Sequence, residues 1–80
     1  MKKEFGIYGG LLLGPEAFKF LMDQTYQLIP FPNRIYIADL VKKVRELDGD
    51  YDVGQVRCAI TELKAEGLIE LDLDGFIYRA

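Results

Sequence analysis

The sequence predicts an α+β domain in which three helices precede a C-terminal two-stranded hairpin. Apolar residues recur at helical spacing in three stretches, and each stretch is bounded by Pro, Gly or Asp. The end of the chain instead has two short runs rich in Ile, Leu and aromatic residues, which flank Asp74-Gly75. That pattern is typical of two strands joined by a tight turn.

The first helix is predicted over residues 15–29. It begins at Pro15, which suits the first turn of a helix, with the acidic Glu16 beside it. It ends before Pro30, because a proline disfavours helical geometry in the preceding residue. Residues 1–14 are rich in glycine and apolar side chains, so we expect a short strand or an arm there.

The later elements are bounded by equally clear signals. Asp52 is placed to cap the third helix, and Gly67 stands where a left-handed C-terminal cap belongs. The predicted elements are helices over residues 37–47 and 53–66, a candidate brief strand over 34–36, and hairpin strands over 68–72 and 75–79.

The order helix, turn, helix and hairpin over residues 15–80 resembles the winged-helix family. Residues 37–41 and 56–69 carry the resemblance, and the second run looks like the family's recognition helix flowing into its first wing strand. The resemblance implies a three-helix winged helix-turn-helix domain with a C-terminal two-stranded β-hairpin wing. It also implies DNA binding and transcription regulation, although a fold alone does not fix the ligand.

The residue inventory argues against an enzyme. The chain has no histidine and no serine, so the common pairs of nucleophile and base cannot be built. A single cysteine without histidine cannot form an ordinary zinc site, and the Asp-rich run at 48–52 lacks the glycine and the later acid of a calcium loop. We therefore expect no metal, no cofactor and no small-molecule substrate.

Composition also predicts a cytoplasmic protein that does not enter a membrane. No stretch of about 18 apolar residues exists, which is the length that a membrane span needs. Met1-Lys2-Lys3-Glu4 is not followed by the pattern of a signal peptide, and the lone Cys58 fits a reducing compartment.

A helical wheel of the third helix predicts one inner and one outer face. The inner face carries Val53, Val56, Ile60 and Leu63, and Arg57 and Lys64 lie on one flank. The outer face carries Gly54, Gln55, Cys58, Thr61, Glu62 and Ala65. In winged-helix regulators this face enters the major groove, so the resemblance makes Gln55, Arg57 and Thr61 candidates for base contacts.

Small residues form a stripe on the same predicted outer face. Gly54, Cys58, Thr61 and Ala65 would let a second helix or a DNA backbone approach closely. The stripe therefore makes Gly54, Cys58 and Ala65 candidate interface residues. The alternative is that these surface positions simply drifted to small residues.

The two halves of the chain differ in charge. Residues 1–45 carry seven basic and four acidic side chains, whereas residues 46–80 carry three and nine, so balances of +3 and −6 sum to the net charge of −3. The acidic half holds the predicted recognition helix and wing, and it would repel phosphates. The basic residues at the second helix are candidate backbone contacts, with a solvated helix face as the alternative: Arg34, Lys42, Lys43 and Arg45.

The apolar N-terminus predicts self-association. Leu11, Leu12 and Leu13 are consecutive, so in any regular conformation at least one points away from its own core. Exposed apolar patches mark interfaces, and a two-fold homodimer is the commonest solution. We expect it to involve Tyr8, these leucines and the first helix. The alternative is that the arm folds back over the first helix of its own chain.

Two functions remain open from the sequence. The first is a small DNA-binding transcriptional regulator, acting as a dimer, whose binding to double-stranded DNA is weak and salt-sensitive. The second is an acidic protein–protein interaction module on the same fold without direct DNA binding. The family resemblance and the basic residues favour the first function, whereas the acidic balance, the stripe and a surplus of aromatic residues favour the second.

Overall fold

The computed structural model describes the backbone of residues 5–8, 11–47 and 51–80, and the side chains of 14–47 and 51–80. Within these ranges the chain is an α+β protein with three helices and a three-stranded antiparallel sheet. The helices are α1 (Pro15–Gln27), α2 (Ile37–Leu47) and α3 (Val53–Ala65). The strands are β1 (Phe5–Tyr8), β2 (Leu11–Leu13), β3 (Ile35–Tyr36), β4 (Ile69–Leu71) and β5 (Phe76–Arg79).

These bounds confirm the three predicted helices and the terminal hairpin to within about two residues. Strand β3 pairs with β5, which in turn pairs with β4, so β5 is central in the order β3-β5-β4. The candidate strand at residues 34–36 is therefore confirmed. The predicted break at residues 48–50 lies outside the described residues.

Both ends of α3 are fixed by local hydrogen bonds. At its start, Asp52 Oδ1 accepts the N–H of Gln55 at 2.8 Å, and Gln55 Oε1 accepts the N–H of Asp52 at 3.0 Å, which is a capping box. At its end, Gly67 has a φ of +78°. The N–H of Gly67 binds the carbonyl of Lys64 and that of Leu68 binds the carbonyl of Leu63, which is a Schellman motif. The chain thus reverses directly from α3 into β4.

The wing hairpin is tied to the start of α2. Gly75 has a φ of +89°, and a Cβ there would lie 3.0 Å from the Tyr36 ring. The Gly75 carbonyl accepts the N–H of Ile37 at 2.9 Å. This bond joins the β4–β5 turn to the first residue of α2.

The core lies between the three helices and the inner face of the sheet. Its members have almost no exposed surface, and burial of such apolar side chains contributes about 1.5–3 kcal/mol each. They include Phe18 and Leu21 of α1, Leu40 and Val44 of α2, Val56, Ile60 and Leu63 of α3, and Ile69 and Ile77 of the sheet.

The N-terminal segment forms a second, two-stranded sheet. Strands β1 and β2 pair antiparallel, and the backbone of this hairpin lies against α1 and α3 of the same chain. That arrangement is the predicted alternative in which the arm folds back on its own chain, and the contact extends to α3. The side chains of Tyr8, Leu11, Leu12 and Leu13 lie outside the described residues. No helix in the described ranges has the length and apolar character to cross a membrane.

Candidate nucleic-acid interface

A groove of about 500 Å³ lies between α2 and the N-terminal half of α3. Its lining contains apolar residues, the three cations Lys42, Arg45 and Arg57, and one carboxylate, Glu46. The apolar members are Ile37, Ala38, Val41 and Val53. Three of the seven predicted nucleic-acid contacts thus converge on one surface with an excess of positive charge.

Helical periodicity explains the convergence. Ala38, Val41, Lys42 and Arg45 recur at spacings of three and four, which places them on one face of α2. Arg57 lies one turn after Val53 on α3. Packing of α3 against α2 then brings Arg57 opposite the cations of α2.

Arg45 also contacts the residue that precedes the cap of α3. Its Nε donates to the carbonyl of Tyr51 at 3.0 Å, and the Tyr51 side chain is buried. A guanidinium has five donors, so this bond leaves further N–H groups for a phosphate. Within the described part of the chain, Lys42 and Arg57 are in no ion pair.

Arg34 lies apart from the groove and is engaged by the wing. Its Nη1 lies 2.9 Å from Asp72 Oδ2, and its guanidinium carbon lies 4.6 Å from the centre of the Phe76 ring. The charge of Arg34 is thus matched within the protein. Its role as a phosphate contact would require this exposed pair to open, which costs little because solvent screens an ion pair on the surface.

Asp72 organises the turn of the wing. Oδ1 accepts the N–H groups of Phe76 at 3.0 Å and Asp74 at 2.9 Å. The bond from Phe76 contributes most to holding the pKa of Asp72 below its ordinary value; desolvation opposes this shift, and the Asp74 N–H and Arg34 reinforce it. The carboxylate of Asp72 is therefore ionised and partly neutralised by Arg34.

The predicted position of Gln55 on the outer face is wrong. Gln55 has no exposed surface, whereas Val53, predicted on the inner face, is 43% exposed. The capping box turns the Gln55 side chain back toward Asp52. In addition, β1 lies against α3. More of the surface of this helix is therefore buried than the predicted inner face alone, and Ala59 is among the buried residues. Gln55 is not positioned to contact a base edge.

The exposed face of α3 carries Val53, Arg57, Thr61 and Lys64. Lys64 lies two turns after Arg57 and thus on the same exposed face, instead of only on a flank. Thr61 Oγ1 donates to the Arg57 carbonyl at 3.0 Å. The sequence pattern missed Val53 because its apolar side chain was assigned to the core. The Asp52-x-x-Gln55 capping signal was the feature that could have revealed the correct rotation.

The remaining candidates are spread over separate surfaces. Lys43 is exposed on α2 but does not line the groove. Gly54, Cys58 and Thr61 line a smaller cavity of about 350 Å³, and Arg57 lines both this cavity and the groove. Gly54 and Cys58 are half-buried, and Ala65 is exposed beyond this cavity. The predicted small-residue stripe is therefore only partly open.

Known proteins offer no further guidance to this site. Comparison of the chain with models of protein families, with curated proteins and with solved structures found no match. Among residues 5–8, 11–47 and 51–80, no group of three or more Asp, Glu, Cys or His side chains is arranged to hold a metal ion.

Proposed function

We propose that this chain is a winged-helix protein that binds double-stranded DNA and acts as a transcriptional regulator. The observation that supports this most is the convergence of Lys42, Arg45 and Arg57 on the groove between α2 and α3. In this proposal, α2 and α3 are the helix-turn-helix pair, α3 is the recognition helix, and β4 and β5 form the wing.

The groove suits a phosphate of the DNA backbone. Cationic side chains at its rim would neutralise the phosphate, while Val53 and Val41 give an apolar floor that can contact sugar carbons. The exposed face of α3 would then follow the major groove, with Arg57 and Thr61 nearest its N-terminal half. Arginine is well suited to this position, because it can bind guanine through two hydrogen bonds.

The acidic wing limits the affinity of this proposed site. Arg34 offsets the charge of Asp72, but Glu70 and Asp74 are exposed on the same hairpin. The Gly75 carbonyl binds the N–H of Ile37, a residue of the groove, so the acidic turn lies near one end of the site. Binding should therefore be weak at physiological salt.

A matched pair of lysines tests the proposal. Lys42 and Lys43 are adjacent and both exposed, but only Lys42 lines the groove. Fluorescence anisotropy of a labelled random duplex at low salt should show that Lys42→Ala weakens binding and Lys43→Ala changes it little. Equal losses from both variants would point to diffuse attraction by α2, and absence of duplex binding at low salt would refute the proposal.

We also retain the proposal that the protein acts as a homodimer. The N-terminal hairpin lies against its own α1 and α3, yet Phe20 of α1 is 57% exposed. An aromatic side chain left open on a helix surface favours a protein contact. A dimer would place two recognition helices on one duplex, as regulators with two-fold symmetry do.

An acidic protein-interaction module on the same fold is the second candidate. It is favoured by large apolar side chains that are exposed on and around the wing, including Leu68, Leu71, Leu73 and Tyr78. Under this alternative the chain would bind no duplex DNA, even at low salt. The same anisotropy titration therefore separates the two functions.

A further inference from the structure

The open edge of the wing sheet has unused hydrogen-bonding capacity. Among the residues that the structure describes, strand β4 pairs with β5 alone, in the order β3-β5-β4. The N–H of Asp72 donates to the Phe76 carbonyl and the N–H of Ala80 donates to the Leu68 carbonyl. Because such bonds recur at every second residue, the backbone N–H and C=O groups of residues 68, 70 and 72 point toward β5. The backbone groups of Ile69 and Leu71 therefore point away from the sheet.

Apolar surface accompanies this open edge. Leu71 is 39% exposed and Leu73 is fully exposed at the turn, whereas Ile69, earlier on the same strand, belongs to the buried core. A strand added beside β4 would cover Leu71 and satisfy the outward backbone groups of Ile69 and Leu71. Edges with these features are templates for strand addition.

The charge of the edge specifies what kind of strand fits. Glu66, Glu70 and Asp74 are exposed on or beside β4. The two cations nearest the three-stranded sheet are engaged elsewhere: Arg34, just before β3, pairs with Asp72, and Arg79 of β5 donates to the Tyr26 carbonyl at 3.2 Å with its guanidinium over the Tyr26 ring. The edge therefore presents negative charge to an incoming strand.

We propose that β4 is a docking edge for an extended segment of a partner protein in which apolar and basic residues alternate. The segment adds as a fourth strand, with an apolar side chain beside Leu71 and a basic one beside Glu70. A second copy of this chain fits less well, because antiparallel pairing of two β4 strands sets Glu70 against Glu70, and like charges directly opposite are destabilising. This site is additional to the proposed DNA-binding groove.

A synthetic peptide of alternating valine and lysine is the probe for this edge. Titrated into the full chain, it should bind saturably and slow hydrogen exchange at the amides of Ile69 and Leu71. A peptide with N-methyl groups on the amides that face β4 should not bind, because it cannot form the ladder. An analogue with glutamate in place of lysine should not bind either. Saturable binding of either analogue, or none by the original peptide, would overturn the proposal.

Two variants locate the site on the protein. Leu71→Pro removes an outward N–H without breaking the bonds between β4 and β5, so it should abolish peptide binding. Glu70→Gln removes one cross-strand charge pair and should weaken binding by up to about fivefold, whereas Glu46→Gln on α2 should not change it. The proposal would be contradicted if folded Leu71→Pro bound the peptide as well as the original chain does. It would also be contradicted if two copies of the chain associated through this edge instead of binding the peptide. Duplex binding by Leu71→Pro should equal that of the original chain, which keeps this test separate from that of the groove.

Discussion

At the scale of single residues, the two cations exposed on α3 have different surroundings. Arg57 lines both the groove and the neighbouring small cavity, whereas Lys64 lines neither. We predict that Arg57→Ala weakens duplex binding by at least about fivefold, since a side chain that reaches a base edge contributes about 1–3 kcal/mol. Lys64→Ala should cause a smaller loss. Anisotropy at fixed low salt measures both, and a larger effect of Lys64→Ala would place the DNA at the other end of the helix.

Asp72 should make stability depend on pH. Its pKa is lowered in the folded protein, chiefly by the N–H of Phe76, so its ionised form favours folding. This contribution is fully present above the ordinary aspartate pKa of about 3.9 and is lost as pH falls through the lower folded-state pKa. We predict that Asp72→Asn loses less stability than the original chain on acidification through this window. Urea unfolding at several pH values measures the difference, and parallel curves for both proteins would contradict it.

At the scale of elements, α3 offers a direct test of its rotation. Val56 is fully buried and Val53 is 43% exposed, although both are valines of the same helix. Val56→Ala should reduce the free energy of unfolding by roughly 2 kcal/mol, because it removes two buried methyl groups and leaves a cavity. Val53→Ala should change it by less than about 0.5 kcal/mol. Chemical denaturation gives both values, and similar losses would mean that the helix is rotated toward the predicted inner face.

The cap of α3 should contribute independently of its packing. Asp52 accepts the N–H of Gln55 and donates its own N–H to the Gln55 side chain. Asp52→Ala should therefore cost about 1 kcal/mol of stability, whereas Asp52→Ser should retain most of it. Equal destabilisation by both substitutions would indicate that the carboxylate has a role other than capping.

The positions of the elements could be predicted because their signals are local. Pro15 and Gly67 bound α1 and α3 through backbone geometry alone, and Asp74-Gly75 marks the turn between β4 and β5. The site was harder to predict because it depends on tertiary contacts. The pairing of Arg34 with Asp72 joins residues 38 apart in sequence, and β1 packs against α3 from a distant part of the chain. Periodicity along one helix contains no signal for either.

At the scale of the whole molecule, the groove should make DNA binding depend on salt in a defined way. If Lys42 and Arg45 each neutralise one phosphate while Arg57 reaches a base edge, the logarithm of the binding constant should fall against the logarithm of salt concentration with a slope of about −2. Lys42→Ala should reduce this slope by about one, and Lys43→Ala should leave it unchanged. A slope near zero would mean that the groove does not contact phosphates.

In the same assay Asp74→Asn should raise the affinity for duplex DNA, because it removes an exposed negative charge from the turn that is hydrogen-bonded to α2.

Self-association is a property of the whole molecule that two phenylalanines can test. Phe20 lies on α1 and is 57% exposed, and Phe31 lies after this helix and is 71% exposed. If two copies meet through α1, a charge at Phe20 would be buried without a partner in the dimer, which is strongly unfavourable. We therefore predict that the original chain sediments as a dimer at micromolar concentration, that Phe20→Glu is monomeric, and that Phe31→Glu remains dimeric. Because both substitutions replace an exposed phenylalanine with glutamate, the change in net charge is the same and only the position differs. A monomeric original chain would remove the dimer from the proposed function, and the N-terminal hairpin would then serve only as a cover for α1 and α3.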